Sequence, residues 1–106
     1  MNVYATVEKD NVLFIEDWRA NHKISIRQPL NKEDQITLVL SDGAVFHISF
    51  LQSTNDSRYW YWHFENVVPP LSSCQLSFSG KRHAEDFCSR AFVEHVWLNG
   101  RDLAEK

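Results

Sequence analysis

A chain of 106 residues makes one domain, long enough to bury a single core. With 43% hydrophobic and 24% charged residues, and only three glycines and three prolines, disordered, collagen-like and repeat architectures are excluded. A net charge of −3 gives no basic footprint for nucleic acid, and no apolar run reaches the length of a membrane span.

The start, Met1 to Thr6, lacks a basic segment followed by an apolar one, so no signal peptide is expected. Residues 3–7 and 12–16 are short runs rich in Val, Ile and Phe, separated by the turn-like Glu8-Lys9-Asp10-Asn11. From His22 to Gln28, Ile24 and Ile26 alternate with Lys23, Ser25 and Arg27 until Pro29 stops the strand. Asn31 to Asp34 is a polar connection. Ile36 to Leu51 then reads as a hairpin. Ile36, Leu38 and Leu40 alternate on one side of Asp42-Gly43 and Phe46, Ile48 and Phe50 on the other, which predicts a two-residue type I′ turn. Between residues 36 and 79 only Asp42, Asp56, Arg58 and Glu65 are charged, so the middle of the chain is the expected source of the core.

After the polar loop Gln52–Arg58 comes a run of six aromatic side chains, Tyr59-Trp60-Tyr61-Trp62-His63-Phe64. In a strand, Trp60, Trp62 and Phe64 would face the core and Tyr59, Tyr61 and His63 would face outward. Aromatics with polar tips bury area and still form hydrogen bonds, which is why interfaces favour them. A half of the run filling the core needs no function. The outward half reads as a binding platform, unless another layer covers it. The candidate binding residues are therefore Tyr59, Tyr61 and His63, with Arg58 beside them and Trp97 further on.

Pro69-Pro70 breaks the chain, and Cys74, Leu76 and Phe78 alternate beyond it. The last third supports two readings. As a helix over 82–98, Ala84, Phe87, Cys88, Ala91, Phe92, His95 and Val96 share one face, ending at Asn99-Gly100. As strands, Ala91 to Leu98 leads into a hairpin turn at Asn99-Gly100 and returns through Arg101-Asp102-Leu103. The expected fold is mainly β, an antiparallel two-sheet sandwich of jelly-roll-like kind, with an α+β arrangement as the alternative.

Little points to catalysis. His83, Asp86, Cys88 and His95 offer metal-ligand atoms within thirteen residues, but without paired Cys-x-x-Cys or His-x-x-x-His spacing. On a helix, Cys88 and His95 would lie about 10 Å apart along the axis, too far for an activated thiol. The carboxylate pairs Glu16-Asp17, Glu33-Asp34 and Glu85-Asp86 read as solvated surface. No phosphate loop or nucleophile elbow is present. No cofactor, metal or enzymatic activity is expected. Cys74 and Cys88 read as reduced thiols, which with the missing signal peptide makes the cytoplasm the expected compartment.

Tyr61-Trp62-His63-Phe64, Pro69-Pro70, Gln75-Leu76-Ser77-Phe78 and Val96-Trp97-Leu98-Asn99-Gly100 together resemble the second half of galactose-binding-like β-sandwich modules. The resemblance covers about the last 45 residues and implies a sandwich and a sugar ligand, with no ligand residues carried over. The residues themselves favour a small non-enzymatic module that occupies a partner protein's surface, as inhibitors, immunity proteins and phage antagonists do. Carbohydrate binding through the exposed aromatics is the alternative. A homodimer through the aromatic strand is a further expectation.

Overall fold

Period-two alternation governs most of the chain. The computed structural model describes residues 3–19, 22–69, 76–79, 83–86 and 91–104, and every regular element among them is a strand. In chain order these are β1 (Val3–Glu8), β2 (Val12–Arg19), β3 (His22–Pro29), β4 (Gln35–Leu40) and β5 (Val45–Gln52). They are followed by β6 (Trp60–Val68), β7 (Leu76–Ser79), β8 (His83–Asp86), β9 (Val93–Leu98) and β10 (Arg101–Asp102). No helix among the described residues is long and apolar enough to cross a membrane.

The strands form two five-stranded antiparallel sheets, ordered β3-β2-β1-β8-β7 and β10-β9-β4-β5-β6. Each sheet begins as a hairpin-linked meander, β1-β2-β3 or β4-β5-β6. A later strand then returns beside the first, β8 against β1 and β9 against β4. That is the Greek-key order, reached here by a chain that visits the other sheet in between. The expected two-sheet sandwich is the fold. Its core interleaves Val3, Ala5, Leu13, Ile15 and Ile24 from the first sheet with Ile36, Leu38, Phe46, Ile48, Phe64, Val93 and Val96 from the second.

Turn chemistry sets the registers. At Asn99-Gly100 both residues take positive φ, 49° and 90°, as a two-residue type I′ turn requires, and Leu98 pairs with Arg101. The β4–β5 turn differs from the expected two-residue form. The Gly43 N–H donates to the Leu40 carbonyl (3.0 Å), and the Leu40 N–H donates to the Ala44 carbonyl (2.9 Å). Gly43 alone takes positive φ, 89°, so the loop has three residues and Gly43 absorbs the bulge. Asp42 braces the turn, its Oδ1 accepting from the Ala44 N–H at 3.1 Å. Pro29 closes β3, an edge strand, where its missing N–H costs nothing in the ladder.

Of the two readings of 82–98 the strand one is observed, with β8 and β9 lying in different sheets and no helix among the described residues. A bulge explains the misleading periodicity. Val39 pairs with His95 but Leu40 pairs with Val93, so Glu94 is the extra residue. Val93 and Val96 both reach the core, three apart, which is the spacing a helix face would use. His95 lies on strand β9, so a helical rise does not set its distance from Cys88. Residue 88 lies outside the described residues, as does Cys74.

Two carboxylates read as solvated are buried. Asp17 is fully enclosed, and its Oδ2 accepts the Val93 N–H at 2.8 Å, tying β2 of one sheet to β9 of the other. Asp34 is buried in the connection between the sheets, accepting from the Asn31 N–H at 2.7 Å and the Asn99 side-chain amide at 2.8 Å.

Candidate functional site

From Trp60 on, the aromatic run forms the start of β6, the edge strand of the second sheet among the described residues. Its alternation is as expected over four residues: Trp62 and Phe64 are buried, and Tyr61 and His63 are half-buried on the outer face. Tyr59, just before the strand, stacks on Tyr61 with ring centroids 6.3 Å apart, and Tyr61 meets His63 edge-on at 6.0 Å. The three rings thus make one continuous stripe. Nδ1 of His63 is buried with no hydrogen-bond partner among the described residues.

Trp60 departs from the expectation that it fills the core, being 50% exposed. It pairs with Gln52, the last residue of β5, and lines an open cleft that faces the end of β1. Phe50 supports it there, the two rings stacked at 5.7 Å and 14°. Lys32 also lies over the Phe50 ring, its Nζ 5.8 Å from the centroid. Tyr59, 49% exposed, continues this surface.

Beside these rings lies an open cleft of about 620 Å³, between the start of β6 and the end of β1 with its turn. Phe50, Tyr59 and Trp60 provide an aromatic wall and Glu8, Lys9 and Asp10 a polar one. The turn is held in place from both sides. Asp10 and Asn11 adopt left-handed φ of 66° and 58°, which Asn and Asp tolerate better than other side chains. Asn11 then accepts the Trp62 indole N–H at 2.9 Å, so the buried tryptophan anchors the cleft's rim.

Arg58 and Trp97 fit the expected site less well. The Arg58 guanidinium is turned onto Asp56, with Nε donating to Oδ1 at 3.1 Å and Nη2 to Oδ2 at 3.3 Å. The same contact, with the Arg58 backbone N–H, holds the Asp56 carboxyl below the usual carboxylate range. Arg58 therefore stiffens the loop before β6. Trp97 faces outward on β9, with β4 and β5 between it and β6. Three strand spacings of about 4.8 Å separate it from the stripe. It packs instead against His95, ring centroids 5.2 Å apart.

The His95 cluster is the arrangement that sequence reading missed. Its Nδ1 lies 2.7 Å from Oδ2 of Asp102, and its Nε2 lies 3.4 Å from Glu94. The hydrogen bond to Asp102 raises the His95 pKa above its ordinary value. Burial pushes the Asp102 carboxyl up, but hydrogen bonds from His95 and from the Ala104 and Val96 N–H groups outweigh it and hold the pKa low. The spacing of seven residues conceals this pair until the Asn99-Gly100 turn folds β10 back beside β9. Asp102 also accepts from the Val96 and Ala104 N–H groups, so the pair locks the β9–β10 hairpin.

Among the described residues no group of three or more His, Cys, Asp or Glu is placed to hold a metal ion. Of the four sequence candidates, His83 and Asp86 lie in the first sheet and His95 in the second, and Cys88 is outside the described residues. No protein-family model, curated protein or solved structure matches this chain. The likeness to galactose-binding-like modules is therefore one of short motifs.

Proposed function

We propose that this protein is a non-enzymatic binding module that acts by occupying the surface of a partner protein in the cytoplasm, as inhibitors and immunity proteins do. The observation that carries the reading is the pair Tyr59 and Trp60, half-exposed at 49% and 50% yet each stacked on a neighbouring ring. Most exposed side chains lose rotamer freedom on binding, at about 0.5–1.5 kcal/mol each. Rings already fixed by stacking lose less, so their apolar area converts to affinity more fully. Tyr61 and His63 extend the contact along the outer face, while Arg58 shapes the loop that presents it.

A second reading is supported by the cleft. Its volume of about 620 Å³ is in the range of small-ligand sites, and its aromatic and polar walls suit a saccharide, which stacks a ring face and hydrogen-bonds at its hydroxyls.

One comparison separates the two. The protein and a folded Tyr59→Ala/Trp60→Ala variant are used to capture partners from source-cell lysate, and both are applied to an oligosaccharide array. A single stoichiometric protein retained by the native chain and lost by the variant supports the first reading. Array binding lost by the variant, with no captured protein, supports the second. Equal behaviour of the two chains in both assays removes the aromatic surface from function altogether.

A further inference from the structure

Among the described residues only β5 pairs with β6, so the outer edge of β6 carries a row of backbone N–H and C=O groups without a strand partner. Proteins usually protect such edges with lysine, proline or inward-pointing charge. Over its nine residues β6 has no lysine or proline and one formally charged side chain, Glu65. Exposed apolar groups gather at its two ends: Tyr59 and Trp60 at the start, Val67 and Val68 at the finish.

We propose that β6 pairs antiparallel with β6 of a second copy of this chain, about a two-fold axis through Phe64. The two sheets that contain β6 would then join edge to edge. The sequence selects this register. Residues directly opposite in an antiparallel pair point to the same face, so a two-fold axis normal to the sheet must set one residue opposite itself. Centred on Phe64, the pairing sets His63 opposite Glu65 of the second copy, and Glu65 opposite its His63. Both side chains belong to the outer face, where Glu65 already lies across from His47 of β5. Centring on Glu65 would oppose two carboxylates, and centring on His63 would set Tyr61 against a carboxylate.

The ends of the strand fit the same axis. On the outer face, half-buried Tyr61 comes to lie beside exposed Val67 of the second copy. A register shift in the β5–β6 pairing, where Phe46 opposes Asn66 but Val45 opposes Val68, limits the regular ladder to residues 62–66. Beyond it Val67 is reached by side-chain contact. The axis is normal to the sheet, so both Tyr59-Tyr61-His63 stripes emerge on one face of the joined sheet. The pairing uses the strand's edge and does not depend on the protein-binding reading of its face.

Sedimentation velocity across a concentration series tests this, with near-ultraviolet circular dichroism confirming that each variant is folded. The native chain is expected to dimerise. His63→Glu opposes two pairs of carboxylates and should weaken the dimer about tenfold. Glu65→Lys alone removes both attractions and should weaken it by a smaller factor. The double variant His63→Glu/Glu65→Lys places opposite charges across the axis and should recover dimerisation beyond either single change. A native chain that stays monomeric at every concentration overturns the proposal. So does a dimer indifferent to all three variants, or a double variant no tighter than His63→Glu. Tyr59→Ala/Trp60→Ala capture, performed separately, reports on the face, so either inference can fail alone.

Discussion

Asp17 shows how one residue can join two sheets without belonging to a site. Its position in β2 places it on the core side of the strand, and its carboxylate receives the Val93 N–H at 2.8 Å. Replacing it with alanine would leave that buried donor unsatisfied, at a cost of about 2 kcal/mol. Asp17→Asn keeps an acceptor oxygen and should cost less. Urea midpoints at constant slope check both. His95 acts by the opposite charge. Its pKa is raised in the folded state, so the protonated ring stabilises the β9–β10 hairpin fully below its unfolded value of about 6.5. That contribution disappears as pH rises through the folded pKa. Asp102 is depressed, so its share requires pH above the unfolded carboxylate range and is lost on acidification. The pair is therefore strongest in mildly acidic solution. Amide exchange of Val96 and Leu103 should be slower at pH 6 than at pH 8 after correction for intrinsic rates, and Asp102→Asn should abolish the difference.

At the scale of elements, the hairpins were legible because alternation and turn residues agree. Ile36-Leu38-Leu40 and Phe46-Ile48 needed only a Gly nearby to fix their pairing, and Asn99-Gly100 needed only a strand on either side. What alternation could not show was an inserted residue. Glu94 breaks the parity of β9, and the resulting Val93–Val96 spacing imitates a helix. Trp60 was misplaced for a related reason. Its face in the strand follows from alternation, but it lies beside the last residue of β5 at an open cleft, a position that only the tertiary arrangement sets. Asp17 and Asp34 were hidden because burial of a carboxylate depends on which N–H groups meet it from distant strands. Gly43 and Gly100 test the turn argument. Both have positive φ near 90°, and a Cβ at either would meet nothing within 4 Å. Gly43→Ala and Gly100→Ala should therefore each cost about 1 kcal/mol through backbone strain alone, with strand pairing retained. Thermal unfolding and the native spectrum of amide shifts measure the two parts of that statement.

For the whole molecule, the sandwich is a frame whose edge strand β6 presents rings beside an open cleft. The core closes around Phe46, Ile48 and Phe64, so β6 gives its buried half to stability and its exposed rings to the surface. The same division sets Trp97 aside. It shares the outer face of the sheet but serves the His95 hairpin, three strands from the stripe. That contrast supplies the most direct test of the proposed contact surface. A photo-reactive benzoylphenylalanine is placed at position 59 in one chain and at position 97 in another, and each is irradiated in the source cells. Cross-linking from position 59 to one defined protein other than this chain, with none from position 97, is the expected result. Cross-linking from position 97 alone, or no foreign protein joined to position 59, would contradict it.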